Sequence, residues 1–176
     1  MTIRITGTGS ALPEKRVTNF DLEKLVETSD EWIQKRTGIA ERRISDGDTV
    51  STLAAMACKN ALEMAGKAAN EVDLIIVATC SPELLLPCCA CPVQDALGAS
   101  DAVAFDLNAA CSGFLFALNT ANAYLQTGIY KNALIVGSEV LSKLVDWNDR
   151  GTCILFGDGA GAAFVEASAE DIIRSN

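Results

Sequence analysis

Residues 102–126, AVAFDLNAACSGFLFALNTANAYLQ, decide how the rest of the chain is read. Ala102 to Leu107 is a short β-prone run, small residues follow it, and from Ser112 to Gln126 apolar positions recur at helical spacing until Gly128. A strand that passes through a tight turn into a helix is the repeating unit of a parallel sheet. Cys111 sits at that turn, where the helical pattern begins. A cysteine at a helix start faces unpaired backbone N–H groups and the positive end of the helix dipole, both of which favour thiolate over thiol. Composition alone supports a different account, a small residue packed among alanines. A nucleophilic thiolate ordinarily works with a basic or hydrogen-bonding partner, and the sequence contains no histidine. Cys111 is thus either structural or one part of a site whose other part is missing.

Working outward, Ile3 to Gly7 alternates like a strand and runs into a turn from Gly9 to Pro13, followed by a short helix from Asn19 to Val26. Thr28-Ser29-Asp30-Glu31 reads as a capping box with Thr28 as N-cap, and Lys35, Arg36 and Gly38 close the helix that follows. A short strand is predicted from Glu41 to Ser45, a helix from Ser51 to Ala65 ended by Gly66, and a buried strand from Val72 to Thr79. Beyond a loop from Cys80 to Pro87, a helical stretch reaches Leu97 and Gly98, with Pro92 in its first turn or bending it. Ala133 to Gly137 is another buried strand, Glu139 to Gly151 is polar and irregular, and Cys153 to Ala167 carries a glycine-rich turn into a last strand. Strands alternating with helices predict an α/β fold with a mostly parallel mixed sheet and helices on both faces. Residues 171–176 read as a strand just beginning, so the chain looks cut short.

The bulk composition removes several classes of function. A chain of 176 residues fits one domain and can bury about 70% of its unfolded surface. With 49% hydrophobic but only 6% aromatic residues, the core must be built from Ala, Val, Leu and Ile, which suits closely packed layers. The net charge of −9 lacks the footprint that nucleic acid or an anionic membrane requires. Nothing resembles a leader or a membrane span, which needs about 20 apolar residues, so the protein reads as cytoplasmic. Seven cysteines, an odd number lying in apolar stretches, fit reduced thiols, most of them core residues.

Each further motif has a plain structural account beside the chemical one. Cys88-Cys89-Ala90-Cys91 holds one CxxC spacing; zinc normally needs four ligands, no second CxxC or histidine is offered, and core packing is the better account over metal or redox chemistry. Gly157-Asp158-Gly159-Ala160-Gly161 is followed by a strand and not by a helix, so its glycines serve a tight turn and close packing more readily than a phosphate. Trp32 and Arg36 lie four apart on one helix and share a face, which suits an aromatic, phosphorylated ligand or simply an amphipathic helix.

Four blocks in order are far more specific than any one of them: GTGSALP at 7–13, TSDEWIQKRTGIAERR at 28–43, NAACSGF at 108–114 and DRGTCILFGDGAGA at 149–162. Together they resemble the β-ketoacyl-[acyl carrier protein] synthase III family of the thiolase superfamily. The resemblance implies that residues 1–176 form the N-terminal thiolase-like half-domain of an enzyme that starts bacterial fatty acid synthesis. It makes Cys111 the acyl-accepting nucleophile. It places coenzyme A against Trp32, Arg36 and Arg150, with Thr28, Thr37 and Gly151 beside them. Leu86 falls at the position that gates the acyl pocket, often across a dimer interface, and Leu141 and Phe156 match pocket walls. The family's His and Asn, which promote malonyl decarboxylation, lie in a second half absent from this sequence, as does the surface that docks acyl carrier protein. The implied partners are acyl-CoA as a substrate, with no cofactor or metal, malonyl-acyl carrier protein, a complementary C-terminal half, and a second copy in a homodimer. Pro92 and the PCCACP run depart from the family pattern. Alternatives are another condensing enzyme of the superfamily, of polyketide or hydroxymethylglutaryl-CoA synthase type, and a non-catalytic half that binds coenzyme A.

Overall fold

The computed structural model describes residues 2–168, so the expected strand at 171–176 lies outside the described residues. A five-stranded sheet forms the centre, in the order β1 (Thr2–Ala11), β7 (Asp158–Ser168), β6 (Asn132–Val140), β4 (Leu74–Ala78), β5 (Val103–Leu107). β4 pairs in parallel with both β5 and β6, whereas β7 lies antiparallel between β6 and β1. Four of the five strands therefore point the same way, and β7 alone reverses. The helices cover both faces, giving the expected mixed α/β architecture. No helix among the described residues is long and apolar enough to cross a membrane.

β4 shows why the layers form. All five of its residues are buried, and their alternation divides them between two cores. Ile75 and Val77 join the core beneath α3 (Val50–Ala65) and α4 (Ala90–Leu97), with Ala54, Ala57, Ala61 and Val93. Leu74, Ile76 and Ala78 face α5 (Gly113–Gln126), against Ala117, Ala121 and Leu125. Burying each large aliphatic side chain is worth about 1.5–3 kcal/mol, so a strand buried on both faces anchors the whole sheet. α3 lies so close to β1 that a Cβ on Gly7 or Gly9 would stand 2.1 Å from the carbonyl oxygens of Ala61 and Ala57. Two glycines on the strand and alanines on the helix make that approach possible.

A smaller unit rests against the sheet. β2 (Arg16–Thr18) pairs antiparallel with β3 (Glu41–Arg43), enclosing α1 (Asn19–Leu22) and α2 (Asp30–Thr37). Arg42, almost wholly buried, donates to the backbone carbonyls of Val17 and Ile154 and to Asn19 Oδ1. Asn19 in turn donates to Asp30 Oδ1 and to the Ile39 carbonyl. This chain of polar contacts ties α2 to the segment just before β7.

Several local expectations change. The N-cap of α2 is Ser29, with extended backbone and its hydroxyl accepting from Trp32 N; Thr28 is not the cap, and its buried hydroxyl has no partner. The predicted helix at 19–26 shortens to four residues. Gly159 and Gly161 belong to β7 itself and not to a turn before it. The cysteines are free, but only Cys58, Cys89 and Cys153 are buried, so core packing accounts for fewer than half of them. Pro92 falls in the first turn of α4, where its missing N–H costs no helical hydrogen bond.

Candidate active site

The parallel strands β4, β5 and β6 end on the same edge of the sheet, which is where α/β folds gather ligand chemistry. Cys111 follows β5 there. It lies in a 3-10 turn, Ala110–Ser112, that leads into α5, so the α-helix proper starts at Gly113, one residue after the predicted Ser112. The turn is tight because Ala110 adopts φ 46, a left-handed conformation that a residue with a Cβ adopts at a cost of about 1–2 kcal/mol. Gly113 lets the helix begin directly over the end of β4, since a Cβ there would sit 3.2 Å from the Ala78 Cβ. The Cys111 thiol is exposed.

Around it lies a polar framework that the sequence pattern does not reveal. Glu139, near the end of β6, accepts hydrogen bonds from Thr79 Oγ1 at 3.1 Å, Cys80 N at 2.8 Å and Ser81 Oγ. It thereby pins the start of the 80–87 loop across two strands. Burial, then the Glu139 carboxylate and more weakly Cys111, push the Cys80 thiol above the ordinary thiol range. Cys80 is thus an electrostatic neighbour of Cys111. A carboxylate at the end of an otherwise apolar strand, Ser138-Glu139-Val140, was the available signal for this group.

The structure brings Trp32, Arg36 and Arg150 together. The Arg36 guanidinium lies 4.1 Å from the Trp32 ring centroid and that of Arg150 lies 4.4 Å from it, although 118 positions of sequence separate Trp32 from Arg150. Arg150 also donates to the Glu27 carbonyl, which fixes its stem against the entrance of α2. Two guanidinium groups on one half-buried indole make a cationic, aromatic surface suited to a nucleotide with its phosphates. Thr37 uses its hydroxyl within the helix end, donating to the Ile33 carbonyl and accepting from Ile39 N. Gly151 donates its N–H to Asp149 Oδ1.

Leu141 and Phe156 line one cavity of about 300 Å³ with Leu144, Val145, Asp146 and Thr152. Leu86 does not line it; that side chain is 85% exposed in the 80–87 loop. A larger cavity of about 590 Å³, lined by Leu12, Pro13, Glu14, Lys15, Asp46, Asp48, Leu53 and Met56, includes none of the predicted site residues.

Comparison with known proteins shows similarity of sequence and fold over most of the chain. The family described as 3-Oxoacyl-[acyl-carrier-protein (ACP)] synthase III matches residues 105–176, which include the Cys111 turn. A β-ketoacyl-[acyl-carrier-protein] synthase III of Clostridium acetobutylicum is 57% identical over 169 residues, 96% of this chain and 52% of that protein. The crystal structure of the 3-oxoacyl-[acyl-carrier-protein] synthase III of Aquifex aeolicus superimposes with a TM-score of 0.94 at 52% identity, covering 96% of this chain and 55% of that one. The priming β-ketosynthase of the R1128 polyketide biosynthetic pathway superimposes with a TM-score of 0.93 at 37% identity, covering 96% and 51%. The chain spans about half the length of the curated relatives it matches. With its mixed sheet, its Cys111 turn and these matches, this chain is similar to the N-terminal portion of the β-ketoacyl-[acyl-carrier-protein] synthase III proteins.

Proposed function

We propose that this chain supplies the acyl-accepting part of a β-ketoacyl-[acyl carrier protein] synthase III, with Cys111 as nucleophile. The observation that carries the reading is an exposed thiol held by a left-handed Ala110 at the carboxyl edge of the parallel strands, within the segment that matches the family. The Cys111 thiolate attacks the thioester carbonyl of acyl-CoA, coenzyme A leaves as its thiol, and an acyl-cysteine remains. Condensation with malonyl-acyl carrier protein then releases carbon dioxide and returns the free thiol. The His and Asn that this second step uses in the family come from outside these residues, in a complementary C-terminal half. Trp32, Arg36 and Arg150 hold the nucleotide of coenzyme A, aided by Thr28, Thr37 and Gly151. Leu141 and Phe156 wall the acyl pocket, and Leu86, exposed here, gates it across a homodimer in the cytoplasm. Likeness to a priming ketosynthase of polyketide synthesis supports a second reading, in which the same thioester chemistry primes another carrier protein.

Radiolabelled acetyl-CoA tests the first step on the chain as it stands. The expected result is one acetyl thioester, located at Cys111 by peptide mapping and absent from Cys111→Ala, with no ketoacyl product from malonyl-acyl carrier protein. Label on another cysteine, or a ketoacyl product from the chain alone, would overturn the reading.

A further inference from the structure

The start of α4, from Cys88 to Cys91, carries a second thiol site that the proposed acyl transfer does not use. Cys88 and Cys91 place their sulfurs 3.5 Å apart, with Cys91 exposed and Cys88 partly so. The backbone joins the two in a single turn, in which Cys91 N donates to the Cys88 carbonyl at 3.0 Å. The turn is anchored from the sheet by Asp106 on β5, whose two carboxylate oxygens accept from Cys89 N and Ala90 N, each at 2.7 Å. A polar cavity of about 270 Å³, lined by Cys91, Gln94, Asp95, Gly98 and Ser100, lies beside the exposed sulfur and gives a small reagent access. Among the described residues no third ligating side chain joins the pair to hold a metal ion.

We propose that Cys88 and Cys91 form a thiol–disulfide exchange site, oxidised to an intrachain disulfide by a low-molecular-weight disulfide. The Cys91 thiolate attacks one sulfur of the reagent, forming a mixed disulfide and expelling the first small thiol. The Cys88 thiolate then attacks the Cys91 sulfur, forming the protein disulfide and expelling the second. Two protons pass from the protein pair to the two released thiols, and two electrons pass from the pair to the reagent. The sulfurs need approach by little more than an ångström to reach the bonded separation of about 2 Å. Asp106 and the hydrogen bond within the turn hold the backbone between the two sulfurs in place. The proposal is independent of the acyl-transfer chemistry at Cys111.

Oxidised glutathione, added in excess to the anaerobic 176-residue chain, supplies the test. After quenching, denaturation and maleimide labelling, the peptide containing residues 88–91 should carry one maleimide, on Cys89, no label or glutathione on Cys88 or Cys91, and two hydrogens less at that pair. Dithiothreitol should restore both labelling sites. Cys88→Ser should instead trap glutathione on Cys91, and if that variant fails to fold the mapping of the unaltered chain decides alone. Two maleimides at Cys88 and Cys91, a persistent glutathione adduct there in the unaltered chain, or a disulfide forming first at Cys80 or Cys111 would overturn the proposal.

Discussion

Gly9 occupies a position where no larger side chain fits, since a Cβ there would come within 2.1 Å of the Ala57 carbonyl and 2.5 Å of Ala61 N. Those atoms belong to helix backbone, which cannot rotate aside as a side chain does. Gly9→Ala should therefore force α3 away from β1 and destabilise the protein by about 1–3 kcal/mol or more, read as a lower urea midpoint; an unchanged midpoint would refute the contact. The sequence marked Gly9 as part of a turn, because close packing against a helix distant in the chain leaves no local pattern. The same limit explains the cap of α2. Thr28 and Ser29 are both able to cap, and only the backbone angles, φ −146 and ψ 155 at Ser29, decide which hydroxyl meets the free N–H groups. The turn that carries Cys111, by contrast, was legible because strand, small turn and helix are contiguous around it.

At the scale of elements, the cationic face around Trp32 joins two segments, α2 and the turn carrying Arg150. If that face holds the nucleotide, Arg36→Ala and Arg150→Ala should each weaken coenzyme A binding. The size follows from cation–π contacts worth about 0.5–2 kcal/mol, or roughly 2- to 30-fold in affinity. Titration calorimetry with the purified chain measures it, and equal affinities for all three proteins would remove the groove. Helix spacing placed Trp32 beside Arg36, and the family motif supplied Arg150; spacing could not, because nothing local links position 150 to position 32. The long helices and buried strands were legible for the reason that their apolar periods are strong. β2 was missed because three residues, Arg16 to Thr18, show no period at all, and their pairing with β3 is made by the chain returning past two helices.

For the molecule as a whole, the order of strands was the least legible feature, because it is set by which faces cover each other and not by local pattern. The mixed sheet was expected, but the insertion of β7 between β1 and β6 appears only in the assembled structure. Large apolar side chains remain exposed at several places, among them Leu84, Leu85 and Leu86 in one loop and Leu115 and Phe116 on α5. Apolar surface gathered in this way favours association. Sedimentation of the 176-residue chain should show a dimer or larger species across micromolar concentrations, and a stable monomer throughout that range would refute the expectation. The pairing of β1 with β7 has a further consequence for synthesis. Ile3 leaves the ribosome early, yet its partner Ala167 is among the last described residues to be made. At 5–20 residues per second the first strand must wait roughly 8 to 30 seconds for the strand that completes its hydrogen bonds. During that interval the nascent chain presents an unpaired β-edge, and the period of greatest exposure to chaperones and to neighbouring nascent chains ends only when β7 emerges.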